Sequence, residues 1–348
     1  MKILLASILP VQDSHSWSGI CKSIYIQLSK RHQLSICYSE SVHSHQKILA
    51  RISYYMNRLI RKRLNIYFSQ YIAKRYARVL EKQIILTQPD LLIVLGSGSE
   101  LYAYKPSCTA YLIADATFSL LQDNYTNYTN LFESSAATAK KVERQSLKNF
   151  NSVFYTSKWA QNNALKTYPK MKTTTINFGS NLGDSNFVVT PISRDVTKLR
   201  LLIVGKDFYR KGISQAVKLQ NYLDCHLDII GIDHILDKNK PSDLQKLKQL
   251  YSDAHFLILF PTADCTPIVI NEANSVGTPA IVYPVGGIPD MIEHGVNGYI
   301  VNDLLEARTR IEQAIADPDM YLTLRRTTFQ YYTENLSWDI FEQKLITK

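Results

Sequence analysis

Phe260-Pro-Thr-Ala-Asp-Cys-Thr-Pro-Ile-Val-Ile-Asn-Glu-Ala-Asn-Ser-Val-Gly-Thr-Pro279, closed by Gly286-Gly-Ile-Pro-Asp290, carries two carboxylates, Asp264 and Glu272, eight residues apart around a helix start. Thr266 is a favourable N-cap and Pro267 suits the first helical position. The sequence therefore predicts a helix opening there, with Asp264 in the preceding loop and Glu272 in the second turn. Free amides at such a helix start favour the anionic groups of a ligand. Val269, Ala273 and Val276 share the face of Glu272, and an unpaired carboxylate inside that apolar stripe is costly. Glu272 needs a partner, which a polar ligand, a backbone amide or a nearby lysine could each supply.

Upstream, Leu199-Arg-Leu-Leu-Ile-Val204 reads as a buried strand running into Gly205-Lys-Asp-Phe-Tyr-Arg-Lys-Gly212 and a helix. Gly205 lets the chain leave the strand tightly, and Lys206, Arg210 and Lys211 gather cations at the strand end. Such a cluster suits a polyanion, with lysine acting as a point charge and arginine as a bidentate fork. A solvated basic turn is the plainer reading of the same residues.

These two segments resemble the retaining nucleotide-sugar glycosyltransferases of family 4, which have the GT-B fold. The resemblance is to their E-x7-E signature with the G-T-P and G-G-I-P elements that follow, and to the pair of cations after the strand glycine. Glu272 matches the second glutamate, which the resemblance places on the donor ribose. Asp264 stands where the family has its first glutamate, near the donor sugar hydroxyls. Cys265, Thr266, Pro267, Ile268 and Val269 match the segment whose amides hold sugar and phosphate, as Gly205 matches the strand glycine. Lys211 matches the family lysine on the diphosphate, and Lys206 occupies the place of the family arginine, so either Lys206 or Arg210 fills that role. Thr266 to Glu272 spans roughly 9 Å along a helix, close to the ribose-to-hexose distance of a nucleotide sugar. The activity implied is transfer of a hexose from a nucleotide diphospho-sugar, with retention, to a hydroxyl of a glycan or lipid-linked acceptor. No cofactor beyond the donor is implied. Metal independence is also expected: Asp317-Pro-Asp319 lies between C-terminal helices and not in a binding loop.

The rest of the chain fits two successive α/β units. Strands are expected at Ile3–Ser7, Leu34–Tyr38, Leu91–Leu95, Ala110–Ala114, Ser152–Tyr155 and Thr173–Ile176. After Val188-Val-Thr-Pro-Ile-Ser-Arg194 the pattern restarts, with strands at Leu199–Val204, Leu227–Ile230, Phe256–Leu259, Ala280–Tyr283 and Tyr299–Val301. Helices are expected between them, including Ser18–Lys30, Ser134–Asn149, Gly212–Leu223, Pro267–Val276 and Ile288–His294. The expectation is a GT-B arrangement of two doubly wound Rossmann-like domains facing a cleft. Residues 1–190 would bind acceptor and 191–330 the donor, with a C-terminal helix, 331–348, crossing back to the first domain.

On the acceptor side, Trp17, Ser18 and Gly19 open the first helix. Gly19 can admit a substrate to backbone amides, while Trp17 could stack on a sugar or cover the domain edge. Asp115, after the strand ending at Ala114, could bond donor hydroxyls, orient the acceptor, or serve as an Asx-type helix cap. His15 is a loop histidine with solvent exposure as its plainer reading. Gly96-Ser-Gly-Ser-Glu100 is a further glycine-containing loop.

Composition bounds these readings. With 348 residues, 45% hydrophobic and 20% charged, the chain suits two globular domains. The opening Met1–Pro10 reads as a buried strand and not as a secretory signal, so a cytoplasmic location is expected. Cys21, Cys37, Cys108, Cys225 and Cys265 lack metal-ligand spacing. The net charge of +10 is concentrated: Lys47, Arg51, Arg58, Arg61, Lys62, Arg63, Lys74, Arg75, Arg78 and Lys82 face only Glu40 and Glu81. Aromatic and aliphatic residues interleave them, so residues 47–82 read as basic amphipathic helices. A solvated face and an anionic membrane surface are both open explanations. No groove-reading motif accompanies the charge, and nucleic acid is not expected as a partner. Two other functions stay open beside the transferase: a GT-B protein that binds nucleotide sugar as a degenerate scaffold, and a related epimerase, for which no acid/base pair is evident.

Overall fold

The computed structural model describes residues 1–183, 186–193, 195–232 and 234–347. Arg194, which ends the expected restart segment, and Lys348, which ends the expected C-terminal helix, lie outside the described residues. The chain divides into two compact units, Met1–Ile176 and Asn177–Lys348.

The first unit runs β1 (Lys2–Ala6), α1 (Ile20–Ser29), β2 (Gln33–Cys37), α2 (Glu40–Ile60), α3 (Gln70–Thr87), β3 (Leu91–Leu95), β4 (Thr109–Ala114), α4 (Phe118–Asn124), α5 (Glu133–Leu147), β5 (Ser152–Tyr155), α6 (Lys158–Thr167) and β6 (Thr173–Thr175). Its six-stranded sheet is parallel, in the order β2-β1-β3-β4-β5-β6. Every residue of the central β3, Leu-Leu-Ile-Val-Leu, is buried, as a parallel strand covered on both faces requires.

The second unit runs β7 (Arg200–Val204), α7 (Ile213–Leu223), β8 (His226–Ile230), α8 (Pro241–Asp253), β9 (Phe256–Leu259), α9 (Ile268–Asn274), β10 (Ala280–Val282), β11 (Gly298–Ile300), α10 (Leu304–Ala316), α11 (Pro318–Tyr331) and α12 (Trp338–Ile346). Five parallel strands lie in the order β11-β10-β9-β7-β8. Alternation along β7 builds a core on each face: Leu201 and Ile203 pack with Ile213, Ala216 and Phe256, while Leu202 packs with Leu257, Ile270 and Ala273. Near the end of the chain, the Trp338 indole donates to the Ser180 carbonyl at 2.7 Å, and Phe178 lies 6.0 Å ring to ring from Trp338 and from Phe341.

In each sheet the order of strands reverses once beside the first strand of the unit. In the first it does so between β1 and β3, in the second between β7 and β9. Loops leaving such neighbours diverge to opposite faces and open a crevice at the carboxyl ends of the strands, where ligands of doubly wound folds bind. The loops so placed are Ser7–Gly19 and Gly96–Glu100 in the first unit, and Gly205–Gly212 and Phe260–Pro267 in the second.

Three local expectations differ. Helix α9 has Pro267 in its N-cap position, one residue after Thr266, and begins at Ile268. The expected helix Ile288–His294 shrinks to a 3-10 turn, Ile288–Asp290. Buried Asn297 explains this: its amide donates to the Met291 carbonyl at 2.9 Å and its carbonyl oxygen accepts from Glu293 N at 2.8 Å, occupying groups a helix would have used. Helix α4 is an addition to the expected elements; Thr117 caps it by accepting from Leu120 N.

Gly212 holds the β7–α7 loop against β9. Its φ is +74°, and a Cβ there would overlap the backbone carbonyl of Phe260. Gly212→Ala is expected to cost about 3 kcal/mol, from strain plus displacement of the Phe260 backbone, measured as a lower urea midpoint with an unchanged slope.

Candidate functional site

The second-unit site is assembled from the two loops at the switch point. Asp207 folds the first into a turn: its carboxylate accepts from Arg210 N at 3.0 Å and Arg210 Nε at 3.3 Å. Arg210 then crosses to the second loop, donating to the Ala263 carbonyl at 3.0 Å, while Thr262 N donates back to the Arg210 carbonyl at 2.9 Å. Lys211 Nζ donates to Asp264 Oδ2 at 2.5 Å, and Arg210 Nη1 stands 3.8 Å from the same oxygen. Lys211 and Asp264 are both largely buried, with side-chain exposures of 14% and 10%. Lys206 is exposed and, among the described residues, has no ion-pair partner. Two of the three expected cations are therefore drawn onto Asp264, and the third faces solvent.

Gly286 fixes the other wall of the Asp264 loop. At φ +60° its missing Cβ lets the backbone pack on the Asp264 carbonyl, and Gly287 N donates to the Cys265 carbonyl at 2.8 Å. The G-G-I-P segment is thus a buttress for Asp264 and Cys265. Thr266, Ile268 and Asn271 line a small cavity with Asn177, Phe178, Met291 and Leu336. The Asn271 amide donates to the Phe178 carbonyl at 2.8 Å, while its own Oδ1 is buried without a partner among the described residues.

Glu272 is fully buried, and both carboxylate oxygens are engaged. Lys238 Nζ donates to Oε1 at 2.5 Å and the Tyr251 hydroxyl donates to Oε2 at 2.8 Å. Of the partners open from sequence, the nearby lysine is the one observed. Tyr251 is itself fully buried, and burial together with the Glu272 charge holds its phenol well above the ordinary tyrosine range. Sequence reasoning misses both Lys238 and Tyr251. Lys238 sits in the irregular β8–α8 segment, where no periodicity points at Glu272, and Tyr251 reads as an ordinary core position of α8.

In the first unit Trp17 and Asp115 meet: the indole Nε1 donates to Asp115 Oδ2 at 3.0 Å. Thr117, and not Asp115, is the helix cap. Trp17 and Ser18 hold left-handed backbone conformations, φ +46° and +57°, before Gly19 at +90°. His15 pairs with Asp13 at the surface, 2.9 Å away. The loop carrying Asp115 is held from behind by buried Glu143, which accepts from Phe118 N at 2.6 Å and from the Tyr168 hydroxyl at 2.9 Å. Glu100, at the other side of this switch point, is buried; its carboxylate accepts from the backbone amides of Ile8 and its own residue, and Oε2 has no partner among the described residues. Burial raises its pKa to about 7. Among the described residues no three His, Cys, Asp or Glu side chains lie together as a metal site.

A family model described as glycosyl transferases group 1 matches residues 187–317, a span that holds Gly205, Lys206, Arg210, Lys211, Asp264 and Glu272. A trehalose phosphorylase of Grifola frondosa is 32% identical over 94 residues, 26% of this chain and 13% of that enzyme. An uncharacterized glycosyltransferase of Methanocaldococcus jannaschii is 27% identical over 118 residues, 28% of this chain and 30% of that protein. The chain thus spans well under half the length of these relatives. Among solved structures, sucrose-phosphate synthase of Thermosynechococcus elongatus aligns with a TM-score of 0.68 at 14% identity, covering 99% of this chain and 97% of that one. Anabaena HepE, solved with UDP and glucose, aligns with a TM-score of 0.63 at 12% identity, covering 100% and 98%. The fold is GT-B, with two Rossmann-like parallel sheets.

Glu100 makes stability depend on pH. Its folded pKa of about 7 exceeds the ordinary value of 4.5, so the folded state binds more protons across that window. Its contribution is therefore full below about pH 4.5 and is lost as pH rises through 7, a loss of about 3 kcal/mol. Glu100→Gln is expected to remove this slope and raise the thermal midpoint at pH 8, as read by scanning calorimetry from about pH 5 to 8.

Proposed function

We propose that the chain is a retaining glycosyltransferase that takes a sugar from a nucleotide diphospho-sugar to a hydroxyl of a glycan or lipid-linked acceptor. The observation that carries this reading is the meeting of the β7–α7 cations with the β9–α9 carboxylate loop at a switch point, joined through Lys211 and Asp264. The match to glycosyl transferases group 1 over the same residues supports it.

In this reading Glu272 binds the donor ribose. Tyr251 and Lys238 keep its carboxylate oriented until the nucleotide arrives. Amides of Cys265 to Val269 and the Asp264 carboxylate hold sugar and phosphate. Lys206, Arg210 and Lys211 stabilise the diphosphate as the anomeric carbon–oxygen bond breaks, its electron pair passing to the phosphate oxygen. The acceptor hydroxyl oxygen bonds to the anomeric carbon on the same face, and its proton goes to the departing phosphate. Trp17, Ser18 and Gly19 bind acceptor, with Asp115, steadied by the Trp17 indole, orienting its hydroxyl. Protein cations meet the diphosphate charge, so the reaction needs no metal, and full activity in EDTA is expected.

A second reading, a GT-B protein that binds nucleotide sugar without transferring it, draws on the same contacts. Asp264 and Glu272 are already paired with internal cations, and Lys206 stands in place of an arginine.

The test is thermal unfolding with millimolar UDP, GDP, ADP and their sugar conjugates. One nucleotide at about a hundred times its dissociation constant should stabilise the wild type by about 2.7 kcal/mol, and Glu272→Gln should abolish that shift while folding normally. No shift with any nucleotide overturns both readings. A shift without sugar transfer or donor hydrolysis across an acceptor panel selects the second. Transfer yielding a product of inverted anomeric configuration by NMR overturns retention alone.

A further inference from the structure

Helix α2 has three longitudinal stripes, each in the 4-3-4 spacing of one helix face. Val42, Gln46, Leu49, Ser53 and Met56 form the inner stripe, buried or half-buried. A second stripe, Ile48, Ile52, Tyr55 and Leu59, is built of large apolar and aromatic side chains, yet these are 54, 45, 59 and 81% exposed. A third, one residue earlier at each step, is Lys47, Arg51, Tyr54 and Arg58, all exposed. After Glu40 the helix contains no acidic residue, and Arg61 and Lys62 follow directly.

A merely solvated face would not carry four large apolar groups in one unbroken row, because such a row keeps water ordered along its full length without return. Core packing does not explain it either, since the inner stripe already performs that task. An apolar row flanked along its length by cations fits one kind of surface: hydrocarbon beneath a layer of negative charge. At 21 residues the helix is about 30 Å long, but its charges bar it from crossing a bilayer; no described helix is long and apolar enough to do so. It can lie in the interface plane, with the second stripe at the acyl boundary, Tyr54 at headgroup depth, and Lys47, Arg51 and Arg58 among lipid phosphates.

We propose that α2 is an in-plane docking helix for an anionic bilayer. This does not depend on the transferase reading, and it chooses the membrane over the solvated face left open by the sequence. Electrostatic attraction brings the chain to the surface, and burial of Ile48, Ile52, Tyr55 and Leu59 holds it there. Both elements are required: one apolar row of this size binds weakly without charge, and a few surface cations alone bind weakly at physiological salt.

The full chain is sedimented with vesicles of phosphatidylcholine alone or mixed equally with phosphatidylglycerol. Wild type is expected to pellet with the mixed vesicles only. Ile52→Ser combined with Leu59→Ser should weaken partitioning by at least about tenfold with unchanged circular dichroism, since both side chains are exposed before binding. Lys47→Ala with Arg51→Ala should do the same, and added salt should weaken the wild type. The emission that Tyr55→Trp adds, taken as the difference from wild type with its three tryptophans, should shift to the blue on the mixed vesicles and be quenched by lipids brominated on the acyl chain. Equal binding to neutral vesicles, binding that survives the Ile52 and Leu59 double change, or a difference emission from the Tyr55→Trp variant that does not shift on adding mixed vesicles each overturns the proposal. So does light scattering that shows the row buried between two copies of the chain in the absence of lipid, or tight oligonucleotide binding without vesicle binding.

Discussion

Hydrogen bonding of β9 to β7 in parallel, Leu201 opposite Phe256 and Leu202 opposite Leu257, brings the candidate site of the second unit together. Strands that are far apart in sequence but adjacent and parallel deliver their following loops to the same sheet edge. Only then can Lys211, seven residues beyond the end of β7, meet Asp264, five beyond the end of β9. Gly212 lies where a side chain would push the β7–α7 loop off the Phe260 backbone, and Gly286, after β10, lies where one would displace the Asp264 backbone from a third side. The site is a property of strand order before it is a property of any residue.

Placing charge at that edge has a cost that the molecule meets with internal counter-ions. A fully buried Glu272 would be prohibitive alone; with an ammonium on one oxygen and a phenol on the other it is sustained. Asp264 likewise pairs with Lys211 and draws Arg210 inward. Such pairing satisfies both carboxylates from within the chain. The first unit handles its own buried carboxylates differently. Glu143 is satisfied by a backbone amide and a phenol, whereas Glu100 keeps one oxygen without a partner among the described residues and burial raises its pKa to about 7.

Strands are readable almost residue by residue, because parallel strands covered on both faces are short continuous apolar runs between turn residues, as in Leu91–Leu95 and Phe256–Leu259. The loop residues of the candidate site in the second unit stand out for a different reason: Lys206, Arg210, Lys211 and Asp264 follow such runs at glycine- and proline-marked turns, and the structure joins Lys211 to Asp264. What escapes depends on distant partners. Lys238 and Tyr251 are unremarkable until α9 packs against α8. The shortened helix after Gly287 depends on Asn297, whose amide takes over the Met291 carbonyl from beyond the segment. Thr117 caps α4 because the helix begins at Phe118, two residues beyond where Asp115 as a cap would start it; Asp115 accepts instead from the Trp17 indole, a contact spanning 98 residues.

The tryptophans are distributed so that light can distinguish the two halves of the molecule. Trp17 and Trp159 belong to the first unit and Trp338 to the second, and these three are all the chain contains. Trp17 gives its indole proton to a carboxylate and Trp338 gives its own to the Ser180 carbonyl, so their excited states feel different local fields. Replacing both first-unit indoles by phenylalanine would leave an emission that belongs to the Asn177–Lys348 half alone. The chain thus carries its own optical label for asking whether its halves melt together or in turn.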